Sequence, residues 1–144
     1  MNKMKISGSI IIFICMISVS AVAGDFDGSK PLLCAVMDIV ECGPDGNCQK
    51  VMAEEVGIPQ FIRINFKEKK ISATQSSGSK RSTTIKNSEH VDGKLILQGA
   101  EDGIEGVRDG LGWSLAIAEE SGKMVLTASG DEVGFVVFGA CTLP

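Results

Sequence analysis

The chain has 144 residues, a formal net charge of −4 and 44% hydrophobic residues. This length predicts one domain rather than a multidomain enzyme. The ordinary apolar fraction and the low charge exclude a disordered chain, and the acidic balance argues against a nucleic-acid-binding protein.

The N-terminus has the features of a secretory signal peptide over residues 1–23. Lys3 and Lys5 precede an apolar run over residues 10–17, and Ala-Val-Ala at 21–23 supplies the small residues of a cleavage site. We therefore expect export to the periplasm or, alternatively, secretion from the cell. Cleavage removes two lysines and no acidic residue, so the mature chain has a net charge of −6.

Two other interpretations of the N-terminus are less favoured. A membrane anchor would have to span about 30 Å of hydrocarbon, and the apolar run is too short. A lipoprotein would use Cys15, but bulky residues precede it where a lipid-attachment site needs a small one. We expect one mature domain over 24–144, beginning at Gly24 or Asp25, with no integral membrane segment.

The mature chain keeps four cysteines, an even number that predicts two disulfides in an exported protein. Three pairings are possible, and geometry separates them. Cys34 and Cys42 lie on one extended segment about 26 Å apart, whereas a disulfide needs Cα atoms within about 7 Å. Cys42 and Cys48 flank five turn-forming residues. The expected pairs are Cys42–Cys48 and Cys34–Cys141, the second joining the first mature strand to the last.

A series of short apolar segments separated by turns fills the mature chain. Residues 31–42 are nearly continuously apolar and predict a buried strand, whereas residues 52–56 predict one short helical turn. From Pro59 onward the pattern alternates with period two. It predicts seven further strands, over 61–66, 71–75, 82–88, 94–98, 113–117, 124–127 and 133–140.

Eight short strands at regular spacing predict an all-β fold of antiparallel strands, either a barrel or a sandwich. An up-and-down meander closes on itself when its first and last strands meet, and the Cys34–Cys141 pair would join them. We therefore predict a small closed β-barrel, with an open sandwich as the alternative. The scarcity of aromatic residues favours a filled interior over a ligand cavity.

Trp113 is the single tryptophan of the chain. Trp113, Leu115 and Ile117 share one face of a strand at period two, which predicts a core position for the indole. The competing interpretation places Trp113 at an open mouth, because the flexible, glycine-rich stretch 101–110 ends just before it.

Candidate catalytic residues are few. His90 is the only histidine and lies two residues before Asp92, yet no G-x-S-x-G elbow presents a serine. Oxidised cysteines supply no thiolate for nucleophilic attack. We expect a solvated loop histidine, no catalytic residue, no cofactor and no enzymatic activity.

Two acidic clusters raise the question of calcium. Residues 25–29 resemble the opening of a calcium loop, but no glutamate follows at the twelfth position. A second cluster matches no known loop spacing: Glu101, Asp102, Glu105 and Asp109. The four cysteines also lack the C-x₂-C spacing of a zinc site. We therefore expect solvated acidic loops and no metal site.

A small basic group is the last charged feature, comprising Lys67, Lys69, Lys70, Lys80 and Arg81. No aromatic residues interleave with it, so stacking on nucleic-acid bases is not predicted. Turn lysines that keep strand edges from pairing are the simpler interpretation.

Four phrases together resemble an uncharacterised family of small exported bacterial proteins. They are DGSKPLLCA at 27–35, the cysteine loop at 41–48, PQFIRI at 59–64 and FGACT at 138–142. The resemblance covers most of the mature chain. It implies export and the four-cysteine pattern, and it implies no activity, ligand or catalytic residue.

These observations favour a periplasmic binding module for a small apolar or cell-envelope ligand, because an eight-stranded barrel has room for one. The alternative is a protein-interaction role, such as inhibition of a foreign hydrolase. The Ser-Ser-Gly-Ser-Lys run at 76–80 is similar to the inhibitory loop of exported bacterial lysozyme inhibitors, although the tyrosine expected near that loop is absent.

Overall fold

Nine β-strands make up the protein in a computed structural model that describes residues 25–74, 81–103 and 105–144. None of these described residues belongs to a helix long and apolar enough to cross a membrane. The all-β prediction is confirmed. The strands are β1 (Leu32–Cys42), β2 (Cys48–Val51), β3 (Phe61–Asn65), β4 (Lys70–Ala73), β5 (Ser82–Val91), β6 (Lys94–Glu101), β7 (Leu111–Ala118), β8 (Lys123–Ser129) and β9 (Gly134–Thr142).

Eight of the nine strands close into an antiparallel barrel. Strands β3 to β9 each pair with the next, and β1 pairs with β3 on one side and with β9 on the other. The predicted meander and its closure by the first and last strands are confirmed. The open sandwich is excluded, because the β1–β9 pairing runs from Leu33–Thr142 to Cys42–Gly134.

The ninth strand, β2, is an addition that the sequence pattern did not predict. It pairs with the second half of β1, from Ile39–Val51 to Cys42–Cys48, while β3 occupies the first half of the same β1 edge. Its four residues are mostly exposed and show no apolar alternation, so they carry no strand signal.

Residues 52–56 form hydrogen-bonded turns, so the predicted helical turn is corrected. The N–H of Glu55 donates to the carbonyl of Met52, and the N–H of Ile58 donates to the carbonyl of Ala53. The second bond closes a wider loop than a helix allows. So few residues make too few hydrogen bonds to offset the cost of nucleating a helix.

Both disulfides join the cysteines that the sequence analysis pairs. Cys34 is bonded to Cys141, 107 residues away, and Cys42 is bonded to Cys48. In each case the two cysteines are direct cross-strand partners. The first disulfide therefore joins the two strands that close the barrel, and the second joins the two strands of the β1–β2 hairpin.

One end of the barrel, called here the closed end, is where the β3–β4, β5–β6 and β7–β8 turns lie. Its interior is filled by inward side chains that are completely buried or nearly so. The sulfur of Cys141 lies 3.8 Å from that of Met124 within this cluster. The filling residues are Leu32, Cys34, Ile64, Leu95, Leu97, Leu115, Ile117, Met124 and Cys141.

The segment before β1 covers the closed end from outside. The ring of Phe26 lies against Gly122 in the β7–β8 turn, so close that a side chain at 122 would overlap it. Gly28 lies between the side chains of Leu95 and Phe66. Phe26 and Phe66 thereby extend the core across this end and separate it from solvent.

Candidate functional site

The opposite end, called the open end, contains a cavity of about 180 Å³. Here β4, β6 and β8 finish and β5, β7 and β9 begin. The expectation of a filled interior is therefore wrong for this half of the barrel. Residues of all eight barrel strands and the segment 56–59 line the cavity, among them Val36, Ile62, Ile71, Ala73, Thr83, Glu101, Trp113, Leu126, Ala128, Phe135 and Val137.

The cavity exists because inward residues become smaller toward the open end on four strands. Each of these strands places a large aliphatic residue deeper in the barrel and a small one two positions nearer the opening. Inward positions alternate along a strand, so each pair points into the same interior. The pairs are Ile71 and Ala73 on β4, Ile85 and Thr83 on β5, Leu97 and Gly99 on β6, and Leu126 and Ala128 on β8. The Trp113 ring occupies the space at Gly99, so the other three pairs open the cavity.

Trp113 lies at the boundary between the filled half and the cavity. It is only 9% exposed and belongs to the core cluster, so the predicted core position is confirmed. Its indole Nε1 donates a 3.0 Å hydrogen bond to Oγ1 of Thr83 on the other side of β6. Trp113 also lines the cavity. The competing interpretation, which placed it at an open mouth, is therefore partly correct.

The polar atoms near Trp113 are occupied within the protein. Thr83 accepts from the indole and donates from Oγ1 to the carbonyl of Ala100 at 3.0 Å. No buried side-chain nitrogen or oxygen of the described residues lacks a partner. The deep wall of the cavity therefore presents hydrocarbon to an occupant, and such a wall suits an apolar group.

An ion pair and a loop segment form the mouth of the cavity. Nε of Arg81 donates to Oε1 of Glu101 at 3.0 Å, and a second guanidinium nitrogen donates to the carbonyl of Gly57 at the same distance. Arg81 thus connects the rim of the barrel to the segment 56–59, which lies along the opening.

Sequence reasoning did not identify these mouth residues. It grouped Arg81 with four lysines, but Lys67, Lys69 and Lys70 lie at or next to the β3–β4 turn of the closed end, away from Arg81. The fourth, Lys80, lies outside the described residues.

His90 lies on β5 toward the closed end and is exposed. Its Nδ1 contacts Oε1 of Glu119 at 2.5 Å. No described serine or cysteine is hydrogen-bonded to it. The expected exposure is therefore observed, but His90 belongs to a strand and not to the predicted loop.

The acidic residues before β1 bind their own neighbours. Asp25 forms a 3.3 Å ion pair with Lys30. Hydrogen bonds from the Ser29 hydroxyl and backbone N–H hold the pKa of Asp27 below its ordinary value. These contacts are those of a local turn.

The second acidic cluster is divided between the rim and solvent. Glu101 pairs with Arg81, whereas Asp102 and Glu105 are exposed. Within the described ranges, no three histidine, cysteine or acidic side chains are placed to hold one metal ion.

Comparison with protein-family models, curated proteins and solved structures found no match. The resemblance to exported bacterial proteins stays a prediction. The inhibitor-like run at 76–80 also stays a prediction and lies outside the described residues.

Proposed function

We propose that the protein is a non-catalytic binding protein that holds a small apolar molecule, or the apolar end of a cell-envelope component, in the cavity at the open end. The observation that carries the proposal is the contrast within one barrel. The closed half is filled by side chains that are buried completely or nearly so, while the open half keeps an apolar space of about 180 Å³. Unfilled apolar volume costs stability, so a cavity of this size needs an explanation.

The volume sets the size of the ligand. A cavity of about 150 Å³ lined by leucine, isoleucine and phenylalanine binds benzene in another protein. The present cavity therefore suits one ring or a short alkyl chain. Burying about 150 Å² of apolar ligand surface contributes about 4 kcal/mol, which corresponds to a dissociation constant near 1 mM. A larger amphiphile gains affinity from contacts at the mouth.

The disulfides support an oxidising compartment for this activity. Disulfide bonds persist in exported proteins and are rare in the reducing cytosol. A periplasmic location, or release from the cell, is therefore part of the proposal. Cell fractionation with intact-mass analysis tests it, and the expected species is an oxidised chain that begins at Gly24 or Asp25.

Fluorescence of Trp113 provides the binding test, because it is the only tryptophan and lines the cavity. We expect toluene and 1-hexanol to change its emission saturably in the millimolar range. Ala128→Leu fills the cavity and should abolish the change. Ala100→Leu, on the exposed face of β6, is the matched control and should leave it intact. Unsaturable responses, or equal responses from both variants, contradict the proposal.

A further inference from the structure

We propose that Trp113 is the floor of the cavity and that Gly99 and Thr83 position it, so that these three residues set the longest hydrocarbon chain the site accepts. The ligand class is then an amphiphile that inserts a short alkyl end toward Trp113 and keeps its polar end at the rim. This inference rests on the proposed function and adds the residues that determine its specificity.

The floor follows from the register of β7 and its neighbours. Trp113 pairs with Gly99 of β6 on one side and with Ala128 of β8 on the other. The next inward residue on β7 is Leu115, which is completely buried in the filled half. On β7 the cavity is lined by Leu111 and Trp113 and not by Leu115, so the indole separates it from the packed core on this side, whereas on β8 the lining extends to Leu126 and Met124.

Gly99 is required for the observed position of the indole. A Cβ at this position would lie 2.3 Å from Cζ2 of Trp113 and 2.5 Å from the carbonyl oxygen of Thr84. No real side chain tolerates such distances, so the ring occupies the space that a side chain at 99 would fill. The filled half blocks movement toward the core, and the cavity is the open direction.

Thr83 fixes the same edge of the ring that faces Gly99, because the Nε1 that donates to Thr83 is bonded to the Cε2 atom beside Gly99. Its hydroxyl accepts the indole hydrogen bond and is itself oriented by the carbonyl of Ala100. The hydrogen bond uses the polar atom of the indole, so the ring presents its apolar surface to an occupant. An inserted chain therefore meets hydrocarbon at the floor and polar groups only at the mouth.

The rim accounts for the polar end of the ligand. Arg81 and Glu101 are charged side chains at the opening. Arg81 and Glu101 form an ion pair with each other, so the rim offers hydrogen-bonding groups to a ligand rather than an isolated charge. A hydroxyl, amide or similar head group fits this arrangement.

Calorimetric titration with 1-alkanols from butanol to decanol tests the floor. In the wild type each methylene that enters the cavity should raise affinity about fourfold, until the chain reaches the indole and the gain stops. Trp113→Phe lowers the floor and should move this limit to longer alkanols. Gly99→Ala pushes the ring into the cavity and should move it to shorter ones. Phe61→Leu, on the outer face of β3, is the control and should leave the limit unchanged.

The possible results of this titration distinguish the role of Trp113 as the floor from the proposed binding function. A limit that stays at the same chain length in a folded Trp113→Phe variant overturns the floor while leaving binding in place. Failure of the wild type to bind any alkanol overturns the proposed function, and the floor with it. If Gly99→Ala does not fold, Trp113→Phe decides alone, with thermal unfolding used to confirm that it is native.

Discussion

The two ends of the barrel are built from the same strands and differ in how they are filled. At the closed end, Leu95, Leu115 and Ile117 are buried completely or nearly so, and Phe26 covers them from outside. At the open end, alanine, threonine and glycine occupy equivalent inward positions and leave a cavity. Stability is thus concentrated in one half, which leaves the other half free to keep an unfilled space.

The ends also differ in charge. At the open end, the described residues of the β6–β7 and β8–β9 connections include five acidic residues and one basic residue: Asp102, Glu105, Asp109, Asp131, Glu132 and Arg108. Acidic and basic residues are more evenly mixed at the closed end, where Lys67 and Lys69 lie in the β3–β4 turn beside Glu68. The described parts of these two connections therefore give the mouth a net negative charge.

The largest expected effect compares the two disulfides. Replacing Cys34 and Cys141 together by alanine should lower the free energy of unfolding by about 4.8 kcal/mol, because that bond closes a long loop. The same change at Cys42 and Cys48 should cost about 2.4 kcal/mol, because its loop is short. Denaturant unfolding measures both. Equal losses would contradict the loop-closure explanation of the difference.

Identical truncations of two cross-strand leucines, Leu115 in the packed core and Leu126 at the cavity wall, should give the next largest difference. Leu115→Ala removes a completely buried side chain and should cost about 3–4 kcal/mol. Leu126→Ala should cost about half as much, because Leu126 is only partly buried and faces the cavity. Thermal or chemical unfolding of the two variants provides the comparison. A larger loss at Leu126 would show that the open end is packed more tightly than described.

Much of this architecture was predictable because it depends on local patterns. The alternation of Trp113, Leu115 and Ile117 predicts both a strand and the face that it buries. The turn-forming residues between Cys42 and Cys48 predict a local disulfide, which leaves the other pair to close the barrel. These signals lie within a few residues of each other, so one sequence is enough to interpret them.

The cavity was not predictable in the same way, because it arises where distant residues meet. Ala73, Thr83, Gly99 and Ala128 are each unremarkable on their own strands, and only the closed barrel brings them to one level. Arg81 was likewise grouped with Lys67, Lys69 and Lys70, which lie at or next to the β3–β4 turn of the closed end. Aligning the inward positions of neighbouring strands would have revealed that these small residues lie near one another.

Charge around the mouth should have a smaller effect on binding. The acidic loops predict that 1-hexylammonium binds about fivefold more tightly than hexanoate at low salt, with 1-hexanol between them. Raising the ionic strength should bring the three affinities together, because exposed charges are screened. Calorimetry at two salt concentrations measures this. Tighter binding of hexanoate would contradict the assigned electrostatics of the open end.

The smallest expected effect concerns the β1–β2 turn. Hydrogen bonds from the Asn47 side-chain amide and backbone N–H lower the pKa of Asp45. Because the folded pKa is depressed, this stabilisation is complete above the unfolded pKa and is lost as pH falls through the folded pKa. Asn47→Ala should raise the pKa of Asp45 toward its ordinary value, as read from carboxyl chemical shifts during an NMR titration. An unchanged pKa would remove Asn47 as its cause.

The most direct test of the central claim is a crystal structure determined under xenon pressure, since xenon enters dry apolar cavities without forming hydrogen bonds. The account predicts a xenon atom in the open half, between Trp113, Leu126 and Phe135, and none among the residues of the closed half. Side chains that collapse to fill the open half, or xenon found only elsewhere, would contradict the account.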